Sequence, residues 1–184
     1  SLIAGRRRPW DTDPGMTTAL IGMFTRTTDM TTLAQDIERA LNQSNMSIVN
    51  LSLRNRGRAD APTLRVLMEA KQALALFIVA APNSPSQVRL CAGQEVFFPA
   101  CHGDKFENVL VVGGTTLKGD AVHQKSPIGL SVHIFAPEAG YFSAGRQNSY
   151  VPVEGTSFAT AIVSAAAALL SNAGISSPGL IKQR

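Results

Sequence analysis

From Gly155 to Ile181 the chain carries no charged residue, and the middle of that run, Ala161 to Leu170, is rich in alanine. A membrane span needs about 20 predominantly apolar residues. This run is broken by Ser164, Ser171, Asn172, Gly174, Ser176, Ser177 and Pro178. It reads instead as a helix buried in a protein core and ending at Gly174. Directly before the helix stands Glu154-Gly155-Thr156-Ser157-Phe158-Ala159-Thr160. At the mouth of a buried helix the backbone N–H groups lie free and the positive end of the dipole can hold an anion. A hydroxyl there sits where a serine nucleophile would. The same residues also admit a plainer reading, in which Ser157 only caps its helix.

Length and composition bound the alternatives. The chain has 184 residues, 45% hydrophobic and 16% charged, which excludes a disordered polymer and suits one globular unit with a real core. The formal charge of +4 is partly local, because Arg6-Arg7-Arg8 stands beside Pro9 and Trp10. No second basic cluster or interleaved aromatic set supports nucleic-acid binding, so a solvated loop is the reading there. Neither a nucleic-acid nor a membrane partner is expected.

Strand and helix patterns alternate along the chain. Thr17 to Thr25 reads as a buried strand. Thr32-Leu33-Ala34-Gln35 has capping-box spacing and opens a helix with Leu33, Ile37, Ala40 and Leu41 on one face. A strand over Ser47–Leu53 follows, then a polar loop, then a helix started by Asp60 and Pro62 that runs through Leu64, Leu67, Met68 and Leu74. Ala75–Ala81 is the next strand, and Val109–Val112 another within a loop-rich stretch from Pro82 to Gly129. Continuous apolar strands alternating with helices imply a parallel sheet covered on both faces. There is no internal repeat and no interdomain linker.

Serine-hydrolase layouts differ in the order of their parts. Gly155-Thr156-Ser157-Phe158-Ala159 fits G-x-S-x-G except at its last position, but that layout needs an acid and then a histidine after the serine. Nothing from Phe158 to Arg184 is Asp, Glu or His. A His–Asp–Ser order is formally available through His102 and Asp120, yet that fold is a pair of β-barrels without a long buried helix after its serine.

Gly155-Thr156-Ser157-Phe158-Ala159-Thr160 resembles the nucleophile motif of the subtilisin-like serine proteases, the subtilases. Ser47-Ile48-Val49-Asn50-Leu51-Ser52-Leu53 is similar to that family's substrate-lining strand. Phe77-Ile78-Val79-Ala80-Ala81-Pro82-Asn83 is similar to the strand that ends in the oxyanion-hole asparagine. Asn108-Val109-Leu110-Val111-Val112-Gly113-Gly114 and Val132-His133-Ile134-Phe135-Ala136-Pro137 resemble later core strands. The resemblance runs roughly from Leu20 to Gly174. It implies an α/β, subtilisin-like fold with a mainly parallel β-sheet flanked by helices, present here as a single partial catalytic domain over residues 1–184 that lacks its N-terminal portion.

The same resemblance implies a serine endopeptidase. Ser157 would attack the scissile carbonyl, and its own N–H together with the Asn83 side-chain amide would hold the oxyanion. Substrate would lie extended along Ser52, Leu53 and Arg54, with Ala80, Ala81 and Pro82 walling the primary pocket. The family usually has glycine where Arg54 and Pro82 stand and proline where Ala161 stands. The first two changes bear on close backbone approach; the third is tolerated by a good helix former. In subtilisin about 160 residues separate the histidine and serine of the triad, which runs Asp, His, Ser. Ser1-Leu2-Ile3-Ala4-Gly5 looks like the helix that follows the family's histidine motif, so the His and Asp are expected upstream of Ser1, and this chain alone is expected to be inactive. His102 and His123 read as loop surface and His133 as a strand position. A non-catalytic, peptide-binding subtilase is the alternative.

Cys91 and Cys101 are the only cysteines and do not have zinc spacing. In an oxidising compartment they would close one loop, and in a reducing one they would be two thiols. The disulfide is the expectation, and with it a secreted or periplasmic setting. No cofactor is implied, and no carboxylate spacing places a calcium ion. The expected partner is a peptide or protein substrate.

Overall fold

The computed structural model describes residues 30–43, 47–53, 55–56, 62–84, 97–129, 131–175 and 177–184. The expected strand Thr17–Thr25, the Arg6-Arg7-Arg8 run, Asp60, Arg54 and Cys91 lie outside them.

Helix α1 spans Met30–Gln43, with Leu33, Ala34, Ile37 and Ala40 buried along one face. It begins before the expected Thr32, because Leu33 and Ala34 already pack into the core in its first turn. Strand β1 is Ile48–Leu51, and a two-residue β2 at Asn55–Arg56 follows. Helix α2, Pro62–Ala70, carries its proline where no intrahelical N–H bond is required. It buries Leu64, Leu67 and Met68, but Leu74 lies beyond its end and is 64% exposed. That corrects the expected helix face. The chain turns over Lys71–Leu74 to enter β3, Leu76–Ala80. Asn108 braces this turn from inside, its amide donating to Met68 C=O and Ala75 C=O at 3.0 Å each.

After β4, Phe97–Phe98, come β5, Val109–Thr115, and β6, Ile134–Pro137. Strands β1, β3, β5 and β6 form a four-stranded sheet in the order β1-β3-β5-β6, with every pair parallel. Val49 faces Phe77, Phe77 faces Val109, and Val112 faces Ile134. Alternation along the strands sends side chains to two separate cores. Phe77, Val79, Val109 and Val111 pack against α1 and α2. Leu76, Ile78, Leu110 and Val112 meet the alanine-rich helix on the other side. Phe77, Ile78 and Val79 are each 0% exposed, and burying a side chain of this kind stabilises by about 1.5–3 kcal/mol. Two covered faces explain why the strands read as unbroken apolar runs.

A hairpin of β7, Tyr141–Ala144, and β8, Tyr150–Val153, precedes helix α3, Thr156–Asn172, and a short α4, Pro178–Gln183. Helix α3 stops as its sequence implied. Gly174 has φ +92°. Its N–H bonds to Ser171 C=O, and the Ile175 N–H reaches back to Leu170 C=O, both at 3.0 Å, which is the Schellman closure of a helix. Among the described residues no helix is long and apolar enough to cross a membrane.

Candidate active site

The carboxyl ends of neighbouring parallel strands collect functional residues in open α/β sheets. Here β1 leads into Ser52 and Leu53, and β3 leads into Ala81, Pro82 and Asn83. The first turn of α3 meets both. A cleft of about 110 Å³ is lined by Ser52, Leu53, Ala80, Ala81, Asn83, Thr156 and Ser157. The structure therefore brings together six of the eight residues singled out in the sequence. Pro82 is buried beside the cleft without lining it, and Arg54 is outside the described residues.

Ser157 is the second residue of α3, and the helix is capped by Gly155. The capping reading of Ser157 is thus replaced by a position inside the first turn, where its N–H has no intrahelical acceptor. Gly155 has φ +126°, a conformation that side chains rarely adopt. A Cβ there would also stand 3.2 Å from Asn83 Nδ2. Glycine therefore permits both the turn and the approach of the asparagine.

Thr156 ties the end of β3 to the helix. Its backbone N–H donates to Asn83 Oδ1 at 2.9 Å. Its hydroxyl donates to Ala81 C=O at 2.6 Å and lies 2.9 Å from the same Oδ1. A backbone N–H can only donate, so this contact fixes which branch of the Asn83 amide is oxygen and leaves Nδ2 as the donor on the other branch. On the opposite wall, Ser52 Oγ donates to Ser157 C=O at 3.0 Å and accepts from Asn50 Nδ2 at 3.0 Å. Ser164, about two turns further along the same face of α3, lies 3.0 Å from Asn50 Oδ1. The first turn of α3 is thereby held from the end of β1 through Ser157 and from the end of β3 through Thr156. Neither Thr156 nor Asn50 was singled out in the sequence. The signal for Thr156 was present, as the residue between the turn glycine and the serine.

None of the three histidines lines the cleft. His102 is not loop surface; it is 0% exposed, inside a 3-10 turn over Ala100–Asp104 and between the rings of Phe98 and Phe106. His133 precedes β6 rather than lying in it, and its Nδ1 accepts the Val111 N–H at 2.9 Å. That ring position replaces a carbonyl at the start of the strand. Burial, reinforced by Lys182, holds the His133 pKa below its ordinary value, against the opposing pull of Asp104. His123 is also no free surface residue, since its Nδ1 lies 2.5 Å from Oε1 of the buried Glu138. Beside the turn, Lys125 pairs with Glu154 and lowers the pKa of that carboxyl. Among the described residues no group of three or more His, Cys, Asp or Glu side chains could hold a metal ion. Cys101 is disulfide-bonded; its expected partner, Cys91, lies outside the described residues.

A Gly-Thr-Ser turn feeding a buried helix thus stands against an asparagine at the end of the neighbouring strand. The subtilase family profile matches residues 16–179. The chain belongs to the subtilase family. Its fold is the subtilisin-like α/β fold, with a parallel sheet flanked by helices. Among solved structures it is similar to a cold-adapted subtilisin-like serine proteinase, at 25% identity over 84% of this chain and 52% of that one, with a TM-score of 0.67. The self-cleaved protease domain of PatA is 28% identical over 84% of this chain and 57% of that one, with a TM-score of 0.66. The prenylagaramide maturation protease PagA is 27% identical over 84% and 55%, with a TM-score of 0.63. The chain thus spans a little over half the length of these chains. No curated protein matches it.

Proposed function

We propose that this subtilase chain supplies the nucleophile and oxyanion hole of a serine endopeptidase, within one partial catalytic domain. Ser157 attacks the scissile carbonyl. Its N–H and the Asn83 Nδ2 amide stabilise the oxyanion, and an extended peptide runs along Ser52, Leu53 and Arg54 towards a pocket walled by Ala80, Ala81 and Pro82. The observation that carries this reading is the Thr156–Asn83 contact. It commits the asparagine's oxygen and leaves its donor branch beside the turn of Ser157.

The general base is not one of the histidines of this chain, each of which is engaged away from the cleft. The base and its acid come, in this reading, from residues outside these 184. A serine hydroxyl without a base stays protonated and is a weak nucleophile. In subtilisin itself, losing the histidine costs about as much as losing the whole triad, on the order of 10⁶ in turnover.

A fluorophosphonate probe tests the reading. The 184-residue chain should not label, the protein extended with the family's His- and Asp-bearing segment should, and Ser157→Ala in that protein should abolish labelling. Labelling of the 184 residues alone would place a base among them. An extended protein that binds peptide but never labels would favour the non-catalytic, peptide-binding reading.

A further inference from the structure

One carboxylate is buried where hydrolysis has no use for it. Glu138 directly follows β6, and its side chain is 0% exposed. It lies on the bare face of Gly114 in β5, where a Cβ would stand 1.8 Å from Oε2. Oε1 lies 2.5 Å from Nδ1 of His123, an ion-pair contact when the imidazole is protonated; apart from it neither oxygen has a hydrogen-bond partner among the described residues. A buried carboxylate with one such contact is costly. Its place in the fold indicates what offsets that cost.

The main chain around Glu138 joins the sheet to the nucleophile turn. Its N–H donates to Thr115 C=O at 3.0 Å, and its C=O accepts the Gly155 N–H at 2.9 Å. His123 belongs to the connection after β5, where its own N–H donates to Gly114 C=O at 2.9 Å and Ser126 Oγ accepts the Gly114 N–H at 2.8 Å. From the same connection Lys125 pairs with Glu154. The two residues before Thr156 are therefore tied to one corner, Gly155 through the Glu138 carbonyl and Glu154 through Lys125. The charges facing the Glu138 carboxyl are His123, Glu154 and Lys125.

We propose that the Glu138–His123 pair is a positioning device for the nucleophile turn. Clamping the side chain of Glu138 against Gly114 fixes the carbonyl that holds Gly155 in its left-handed conformation, and so sets where α3 and Ser157 begin. Neither residue touches the reacting atoms. The catalytic consequence rests on Ser157 being the nucleophile; the hold on the turn does not.

Two readouts on the full-length protein keep those claims apart. The first is amide hydrogen exchange in Glu138→Gln, which keeps the volume, and in His123→Ala. Exchange at Gly155 and Thr156 should rise about tenfold while Val111 and Val112 stay protected, the signature of local rather than global opening. The second is acylation by a fluorophosphonate and by a peptide substrate. Labelling rate and kcat should fall about 10–100-fold, as for a slightly misplaced reacting group, with KM changed less than about twofold. His123→Gln, which keeps an N–H donor for the carboxylate, should recover part of both. Unchanged exchange at Gly155 and Thr156, or a rise shared equally with β5, would overturn the proposal. So would faster exchange with unaltered acylation in a protein that labels. If the wild-type protein does not label, the hydrolytic reading fails, and exchange alone decides whether the pair holds the turn.

Discussion

Replacing Thr156 by valine keeps its shape and removes the hydroxyl that meets Ala81 C=O. Because Thr156 is 1% exposed, the carbonyl is left without that partner, and denaturant melts should show a loss of about 1–3 kcal/mol. At the reaction itself, Asn83→Ala in the labelling-competent protein should lower kcat about 10²–10³-fold, or about 2.7–4 kcal/mol of transition-state stabilisation, with KM little changed, the loss measured for the corresponding donor in subtilisin. Equal falls in binding and turnover would instead assign Asn83 to substrate binding. His133 gives a pH signature. Its folded pKa lies below the ordinary 6.5, so on acidification the unfolded chain takes up the proton first. The stability this group contributes is whole above about pH 6.5 and is lost as the pH falls towards the folded value. Thermal melts between pH 7 and pH 5 should show this decline, and His133→Gln should flatten it. Ser157 and Asn83 were legible in the sequence because each sits in a run whose neighbours are as informative as itself. Glu138 and His123 were not, since nothing local says that a glycine in one strand leaves room for a carboxylate after the next.

At the scale of elements, the strands and α3 could be read because both faces of the sheet are covered and the apolar runs are unbroken. The hairpin β7–β8 escaped notice for the opposite reason. Phe142 and Tyr150 are 68% and 77% exposed, Pro152 interrupts the second strand, and no buried face imposes an alternation on the sequence. The start of α1 was misplaced because packing of Leu33 and Ala34 outweighs the local capping pattern. Two glycines test these element-level arguments differently. At Gly174 a Cβ meets nothing within 4 Å, so Gly174→Ala should cost only the backbone strain of its positive φ, about 1–2 kcal/mol. At Gly114 the backbone is ordinary and the obstacle is the Glu138 carboxylate. Gly114→Ala should therefore be the more damaging change, and adding Glu138→Ala should recover much of the loss. A double-mutant cycle from thermal or denaturant melts reads that coupling, and additive losses would mean that the two residues do not compete for one space.

For the molecule as a whole, the buried Glu138 and the partly desolvated His133 pull the stability curve in opposite directions. Burial raises the Glu138 pKa above its ordinary value, and His123 opposes the rise only in part. A raised carboxyl contributes fully below about pH 4.5, and that contribution is lost as the pH climbs through the folded value. Glu138→Gln should therefore gain stability relative to the wild type on going from pH 4.5 to pH 8, even as it loosens the turn. Melting curves of both proteins across that range check the sign. The separation of the cleft's parts along the chain has a further effect, on timing. Ser52 and the Ser157 carbonyl it meets are 105 positions apart, and Asn83 waits 73 positions for Thr156. During synthesis the two strand ends emerge long before the serine does. When α3 arrives, it delivers the hydroxyl and, through Ala159, Val163 and Ala167, the second covering layer of the sheet in the same stroke. Core closure and assembly of the cleft are thus one late event, and a nascent chain has no complete cleft until α3 has emerged.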